Sequence, residues 1–278
     1  MKYIFANLKR FDIPKKYDGL NSIVPAAIWG GYMAGKISEL LQDLEDDVEV
    51  AVFFPEAQLE SVLQARGENC SWHLGCQGVY RLDTEKNGNF GAFTTNKTAK
   101  SMKALGCTYT IIGHCEERMD KNGILEKADV HRTDVINRIL NEEIMCAQKA
   151  GMKVLYCVGE KEDEQEKWED VIGEQLDIGL SKINLEQVVI GYEPLWAIGP
   201  GKPVPDETYI AKIAEFIKHK TGGCPVIYGG GLKEENARMI AGIEAVDGGL
   251  VGLTQFSGDI GFYPDGFKRI IEKYVSPM

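Results

Sequence analysis

The chain has 278 residues, 44% of them hydrophobic and 26% charged, with a formal net charge of −11; that length suits one full barrel or two small domains. No apolar run approaches the ~18 residues of a membrane span. The negative balance opposes binding to nucleic acid or an anionic membrane, whose phosphates call for basic patches. A small anionic substrate stays open, because backbone N–H groups and one lysine can hold a phosphate whatever the overall charge. The start, Met1 to Ala6, is apolar only briefly before Lys9 and Arg10, which argues against a secretory signal and makes the cytoplasm the default compartment. Seven scattered cysteines without a C-x-x-C pair read as reduced, buried thiols rather than zinc ligands or a redox dithiol.

In chain order, Tyr3 to Ala6 and Val48 to Phe54 are β-branched or aromatic runs that predict strands. Ser71 to Gln77, Tyr109 to Ile112, Val154 to Val158, Val188 to Tyr192, Val226 to Tyr228 and Gly249 to Val251 bring the number to eight. Helical periodicity falls between them, at 37–44, 129–150, 165–180, 206–220, 234–241 and 264–274. Eight βα units without a linker predict an α/β fold, one closed (β/α)8 TIM barrel over residues 1–278. The same alternation permits a doubly wound open sheet, but no Gly-x-Gly-x-x-Gly follows the first strand, where a dinucleotide-binding domain needs it. The acidic stretch Glu160 to Asp170 reads as a solvated loop and helix start.

Catalytic groups of a barrel gather where strands end, because all eight βα loops meet on that face. After the first strand stand Asn7, Leu8 and Lys9; after the fourth, Gly113, His114, Cys115 and Glu116; after the sixth, Glu193. Singly, His114 reads as a hydrogen-bonded structural residue and Lys9 as a surface charge. Glu193 is harder to explain so, because a carboxylate on an apolar strand is seldom buried without a purpose. The joint occurrence at three strand ends points to a base, an imidazole and a cation around one site. Pro194, Leu195, Trp196, Ala197, Ile198, Gly199, Pro200, Gly201 and Lys202 follow, an apolar loop flanked by prolines and glycines that suits a lid closing as a unit. Glycine-rich turns after strands seven and eight, at Gly229–Gly231 and at Gly252–Leu253, fall where barrels often bind phosphate.

Asn-x-Lys, Gly-His-x-Glu, Tyr-Glu-Pro-x-Trp-Ala-Ile-Gly-x-Gly-Lys and Tyr-Gly-Gly, in that order, resemble the triosephosphate isomerase family, from Tyr3 to about Leu253. The resemblance implies that Glu193 removes a proton from the carbon beside a carbonyl while neutral His114 hydrogen-bonds the carbonyl oxygen, a pairing for which triosephosphate isomerase is itself the standard worked example. It implies that Lys9 and Asn7 stabilise the oxyanion, that Glu116 belongs to the polar network of Lys9, and that Gly199, Gly231, Gly252 and Leu253 hold the phosphate through their backbone. The substrate is then a small phosphorylated sugar, glyceraldehyde 3-phosphate or dihydroxyacetone phosphate. The chemistry needs a carboxylate in a dry site and a lid to exclude water, and neither a metal nor an organic cofactor. The family's usual assembly is a homodimer.

The chain departs from the family in places. Arg10 to Gly35 is expected to form a long first loop on the active face. Thr95-Asn96 stands for the usual Gly-Glu, and Cys115-Glu116-Glu117-Arg118 for Ser-Glu-Arg-Arg, so both ends of a subunit contact have changed. Gly231 replaces the usual serine, and Leu253 the usual second glycine of the last turn. These changes leave two other readings, an isomerase of a related ketose phosphate such as a tetrulose phosphate, and a non-catalytic sugar-phosphate sensor. The second predicts a broken catalytic set, yet Asn7, Lys9, His114 and Glu193 are all present.

Overall fold

The computed structural model describes residues 1–67, 70–199 and 202–276. Eight parallel strands form a closed barrel in sequence order: β1 (Lys2–Asn7), β2 (Val48–Phe54), β3 (His73–Cys76), β4 (Tyr109–Ile112), β5 (Lys153–Val158), β6 (Val188–Tyr192), β7 (Val226–Tyr228) and β8 (Gly248–Val251). Ile4 of β1 pairs with Val50 of β2 on one side and with Gly249 of β8 on the other, and this double pairing closes the ring. Each strand falls within two residues of its expected bounds.

Alternation along the strands builds two cores, since successive side chains of a strand point to opposite faces. Phe5, Ala51, Phe53, Tyr109, Ile111, Leu155, Val189, Ile227 and Leu250 fill the barrel interior. Ile4, Ala6, Val50, Val52 and Phe54 face outward against the helices. Each fully buried Val, Leu, Ile or Phe among them stabilises the fold by roughly 1.5–3 kcal/mol before entropy is counted.

Outside the barrel lie α1 (Ala26–Leu40), α2 (Leu59–Ala65), α3 (Ala99–Ala104), α4 (Cys115–Lys127), α5 (Thr133–Lys149), α6 (Trp168–Gly179), α7 (Glu207–Thr221), α8 (Ala237–Ala241) and α9 (Pro264–Val275). Their ends follow from capping. Asp206 accepts the Tyr209 N–H at 2.8 Å to start α7, and Gly222 ends it in the left-handed conformation. Pro264 opens α9, whose Phe267, Ile270, Ile271 and Tyr274 bury one stripe. Among the described residues no helix is long and apolar enough to cross a membrane.

Two expectations are corrected. The first helix starts at Ala26 and ends at Leu40, so the first loop stops at Pro25 instead of Gly35, and 41–44 lies beyond the helix. Gly30 and Gly31 read as loop residues, but Gly30 is where α1 meets its neighbour. A Cβ there would lie 2.7 Å from Gln58 Cβ, and the Gln58 amide accepts the Gly30 N–H and donates to Ala26 O and Asp12. The glycine exists for close packing, and Trp29, Met33, Ala34 and Ile37 supply the buried stripe. The acidic stretch is also not uniformly solvated: Glu160 is completely buried, while 162–167 forms an exposed 3-10 turn leading into α6.

Candidate active site

Asn7, Lys9, His114, Glu193, Ile198, Gly199, Gly231, Gly252 and Leu253 line a single cavity of about 210 Å³ at the strand C-termini. Residues from the ends of β1, β4, β6, β7 and β8 are thus brought together. Glu116 lines an adjoining cavity shared with Asn7, Lys9 and His114. A somewhat larger cavity, about 260 Å³, lies between α4, α5 and α6 and contains none of these groups except Leu195 of the lid.

Glu193 leaves β6 with its N–H bonded to Val158 O. Its side chain is 2% exposed. Oε2 accepts the Cys115 N–H at 2.9 Å, whereas Oε1 lies 3.3 Å from His114 Nε2 and has no hydrogen-bond partner. A buried carboxylate oxygen without a donor is costly, so its place in a cavity calls for an explanation beyond packing. Space for the carboxylate depends on Gly229, where a Cβ would sit 2.7 Å from Glu193 Cγ and 2.8 Å from Tyr192 O.

His114 is the N-cap of α4, and its Nδ1 accepts the Glu116 N–H at 3.3 Å. An acceptor role for Nδ1 assigns the ring proton to Nε2, the nitrogen that lies 3.3 Å from Glu193 Oε1 without being aligned to bond it. The helix start therefore both orients the ring and sets its tautomer.

Lys9 adopts a left-handed backbone, with φ of 42°, unusual for a non-glycine residue and typical of functional sites. Its N–H donates to Asn7 Oδ1, and its ammonium lies 2.7 Å from Glu116. Gln77 follows β3 and donates to Asn7 Oδ1 at 3.1 Å and to Lys9 O at 2.9 Å, tying the two together. Sequence reasoning missed Gln77; the available signal was a polar residue at the end of a predicted strand. Glu117, which replaces the family's arginine, turns inward to accept the Gly113 N–H at 2.6 Å and pair with Lys121 at 2.9 Å. The altered residue thus supports the turn carrying His114.

The segment expected to form a lid is described at Pro194–Gly199 and from Lys202; Pro200 and Gly201 lie outside the described residues. Leu195–Ala197 form a 3-10 turn. Trp196 Nε1 donates to Glu160 at 2.7 Å, and the same carboxylate oxygen accepts the Tyr192 and Tyr209 hydroxyls at 3.0 and 3.1 Å. Burial pushes Glu160 above the ordinary carboxylate range, against the pull of those three donors. One buried acid thus anchors the lid's start.

His114, Cys115 and Glu193 offer ligand atoms within 4.8 Å of one another. Burial, and then the charge of Glu193, pushes the Cys115 thiol up to about 12.

Strand-end side chains, a capped imidazole and a buried carboxylate around one cavity define a proton-transfer enzyme of the (β/α)8-barrel class. The model of the family described as triosephosphate isomerase matches residues 31–273. The chain belongs to the triosephosphate isomerase family. It is 32% identical over 232 residues to the triosephosphate isomerase of Shewanella pealeana, covering 78% of this chain and 83% of the relative. The triosephosphate isomerase of Alkalilimnicola ehrlichii is 31% identical over 237 residues, covering 81% and 85%. The crystal structure of triosephosphate isomerase from Bartonella henselae superposes with a TM-score of 0.75 at 22% identity, covering 99% of both chains, a likeness of fold.

Proposed function

We propose that this barrel, acting as one domain over residues 1–278, interconverts D-glyceraldehyde 3-phosphate and dihydroxyacetone phosphate. Glu193 takes the proton from the carbon beside the carbonyl. The released electron pair forms the carbon–carbon double bond of an enediol and moves charge to the carbonyl oxygen, where the His114 Nε2–H donates. Glu193 returns the proton to the neighbouring carbon, and His114 passes a proton between the two oxygens. Protons and electrons balance within the substrate, so the reading calls for neither a metal nor an organic cofactor. Lys9 and Asn7 stabilise the oxyanion, Glu116 holds Lys9, and backbone N–H groups at Gly199, Gly231, Gly252 and Leu253 hold the phosphate. Closure of 194–202 keeps water from the enediol.

The observation that carries the reading is Glu193 Oε1, buried and without a donor, 3.3 Å from His114 Nε2 in a cavity shared with two glycine-rich turns. A coupled assay with glyceraldehyde 3-phosphate and with erythrulose phosphates tests it. The expected result is triose phosphate turnover, most of which Glu193→Gln loses while the barrel stays folded; unchanged turnover in that variant would refute the base.

The same reading carries a cytoplasmic homodimer. The Phe93–Thr94 loop supports it, and Phe90 beside that loop is 84% exposed. Light scattering is expected to give twice the 30.8 kDa chain mass; a monomer mass would remove the dimer.

A further inference from the structure

The cavity has to hold a phosphate dianion inside a chain whose net charge is −11, so the overall field opposes the ligand and a local cation must answer it. Among the described residues, the cations lining the cavity are Lys9 and Lys233. Lys9 is already paired with Glu116 at 2.7 Å. Lys233 has no carboxylate partner among the described residues, and the neighbouring Glu234 is taken up by Arg269 and Lys273 at 3.0 and 3.3 Å.

Lys233 is also positioned. Its N–H donates to Asn236 Oδ1 at 2.7 Å, and Asn236 Nδ2 donates to Gly231 O at 3.1 Å, so one side chain pins both ends of the turn. The stem runs back along the turn, since a Cβ on Gly231 would lie 3.9 Å from Lys233 Cε. The ammonium rests 4.5 Å from the ring centroid of Phe256, which lines the same cavity. A cation over an exposed ring is held weakly compared with a charge-assisted bond to a phosphate oxygen.

We propose that Lys233 is a phosphate-binding, specificity-determining residue, parked on Phe256 in the free protein and transferred to the phosphate of the bound sugar. The inference rests on the proposed phosphate site and deepens it. Gly231 and Gly252 offer backbone N–H groups that carry only partial charge. Lys233 supplies the full positive charge at that end, which selects phosphorylated over unphosphorylated substrates.

The test is calorimetric binding of inorganic phosphate and 2-phosphoglycolate to the full chain, its Lys233→Met variant and its Lys233→Arg variant, with circular dichroism to establish folding. Lys233→Met is expected to weaken both ligands about tenfold or more, and to flatten the dependence of binding on salt. Lys233→Arg restores most of the affinity. In turnover, the preference for glyceraldehyde 3-phosphate over glyceraldehyde, as a kcat/KM ratio, falls by a similar factor, through KM rather than kcat. Folded Lys233→Met that binds inorganic phosphate as the wild type does overturns the assignment, as does a wild type that binds neither ligand. A wild type that binds phosphate through Lys233 but does not isomerise triose phosphate sinks the proposed reaction and leaves this assignment standing.

Discussion

The two ends of the cavity are built from different materials. At the acid–base end, Glu193, His114, Lys9 and Asn7 are side chains, each held by a named donor or acceptor: the Cys115 N–H, the Glu116 N–H, the Glu116 carboxylate and the Gln77 amide. At the proposed anion end, Gly231, Gly252 and Leu253 offer main chain, where backbone conformation replaces residue identity, and Lys233 is the side chain proposed to add charge. The comparison teaches where substitutions are tolerated. A serine-to-glycine or glycine-to-leucine change relative to the family leaves an N–H in place, whereas at Glu193 only aspartate keeps a carboxylate, and its shorter side chain draws that group back from the site.

The largest effect should come from removing that carboxylate. Glu193→Gln is expected to lower kcat by about 10²–10⁴-fold, the span of positioned proton transfer, with KM changed little, in the coupled assay. Displacing the carboxylate without deleting it sharpens the same contrast. In Gly229→Ala the new Cβ collides with Glu193 Cγ and Tyr192 O; a shift of that size is expected to cost about 10²-fold in kcat. Phosphate affinity should change far less, because the clash falls at the acid–base end. Equal losses in kcat and in phosphate binding would erase the distinction between the two ends.

The lid joins the ends, and its anchor should matter less than the base. Trp196→Phe removes the donor at 2.7 Å from Glu160 and leaves Tyr192 and Tyr209 in place. One such bond is worth about 1.5 kcal/mol, so stopped-flow kinetics should show lid motion and kcat altered by roughly tenfold or less. Turnover and lid rates identical to the wild type would mean that the contact is incidental.

The last effect is on stability and leaves turnover unchanged at a fixed pH; it concerns the support beneath His114. Burial, and then the charge of Glu117, pushes Glu143 up to about 9, while Glu117, beside Lys121 and the Gly113 N–H, stays below the ordinary range despite its burial. An acid raised in the folded state binds its proton more tightly there than in the unfolded chain. Its stabilisation is therefore complete below about pH 4.5 and is lost as pH rises toward 9, by at most about 1.4 kcal/mol per pH unit. Glu117 acts in the opposite sense, and its contribution fades only as pH falls below the ordinary carboxylate range. Denaturant melts across pH 5 to 9 should slope downward in the wild type and flatten in Glu143→Gln. Parallel slopes would remove the raised proton from Glu143.

Eight strands were legible in order because parallel strands buried on both faces must be apolar runs, and such runs as Val48–Phe54 and Val188–Tyr192 announce themselves. His114, Glu193, Asn7 and Lys9 were legible because strand ends on one face of a closed barrel are forced into proximity. The start of α1 was not, since Gly30 and Gly31 carry turn-like composition and only Gln58 of the neighbouring segment shows why glycine is there. Glu160 was hidden in a run of acids, and its burial depends on three donors from β6, the lid and α7. Gln77 and Lys233 carry no motif. What the amino-acid order determined by itself was periodicity, and with it eight βα units, the family motifs that point to a barrel, and the list of polar groups at the strand ends. Tertiary structure alone decided which of those groups are held, by what, and which remain free, because hydrogen bonds between distant segments have no local signature in the chain.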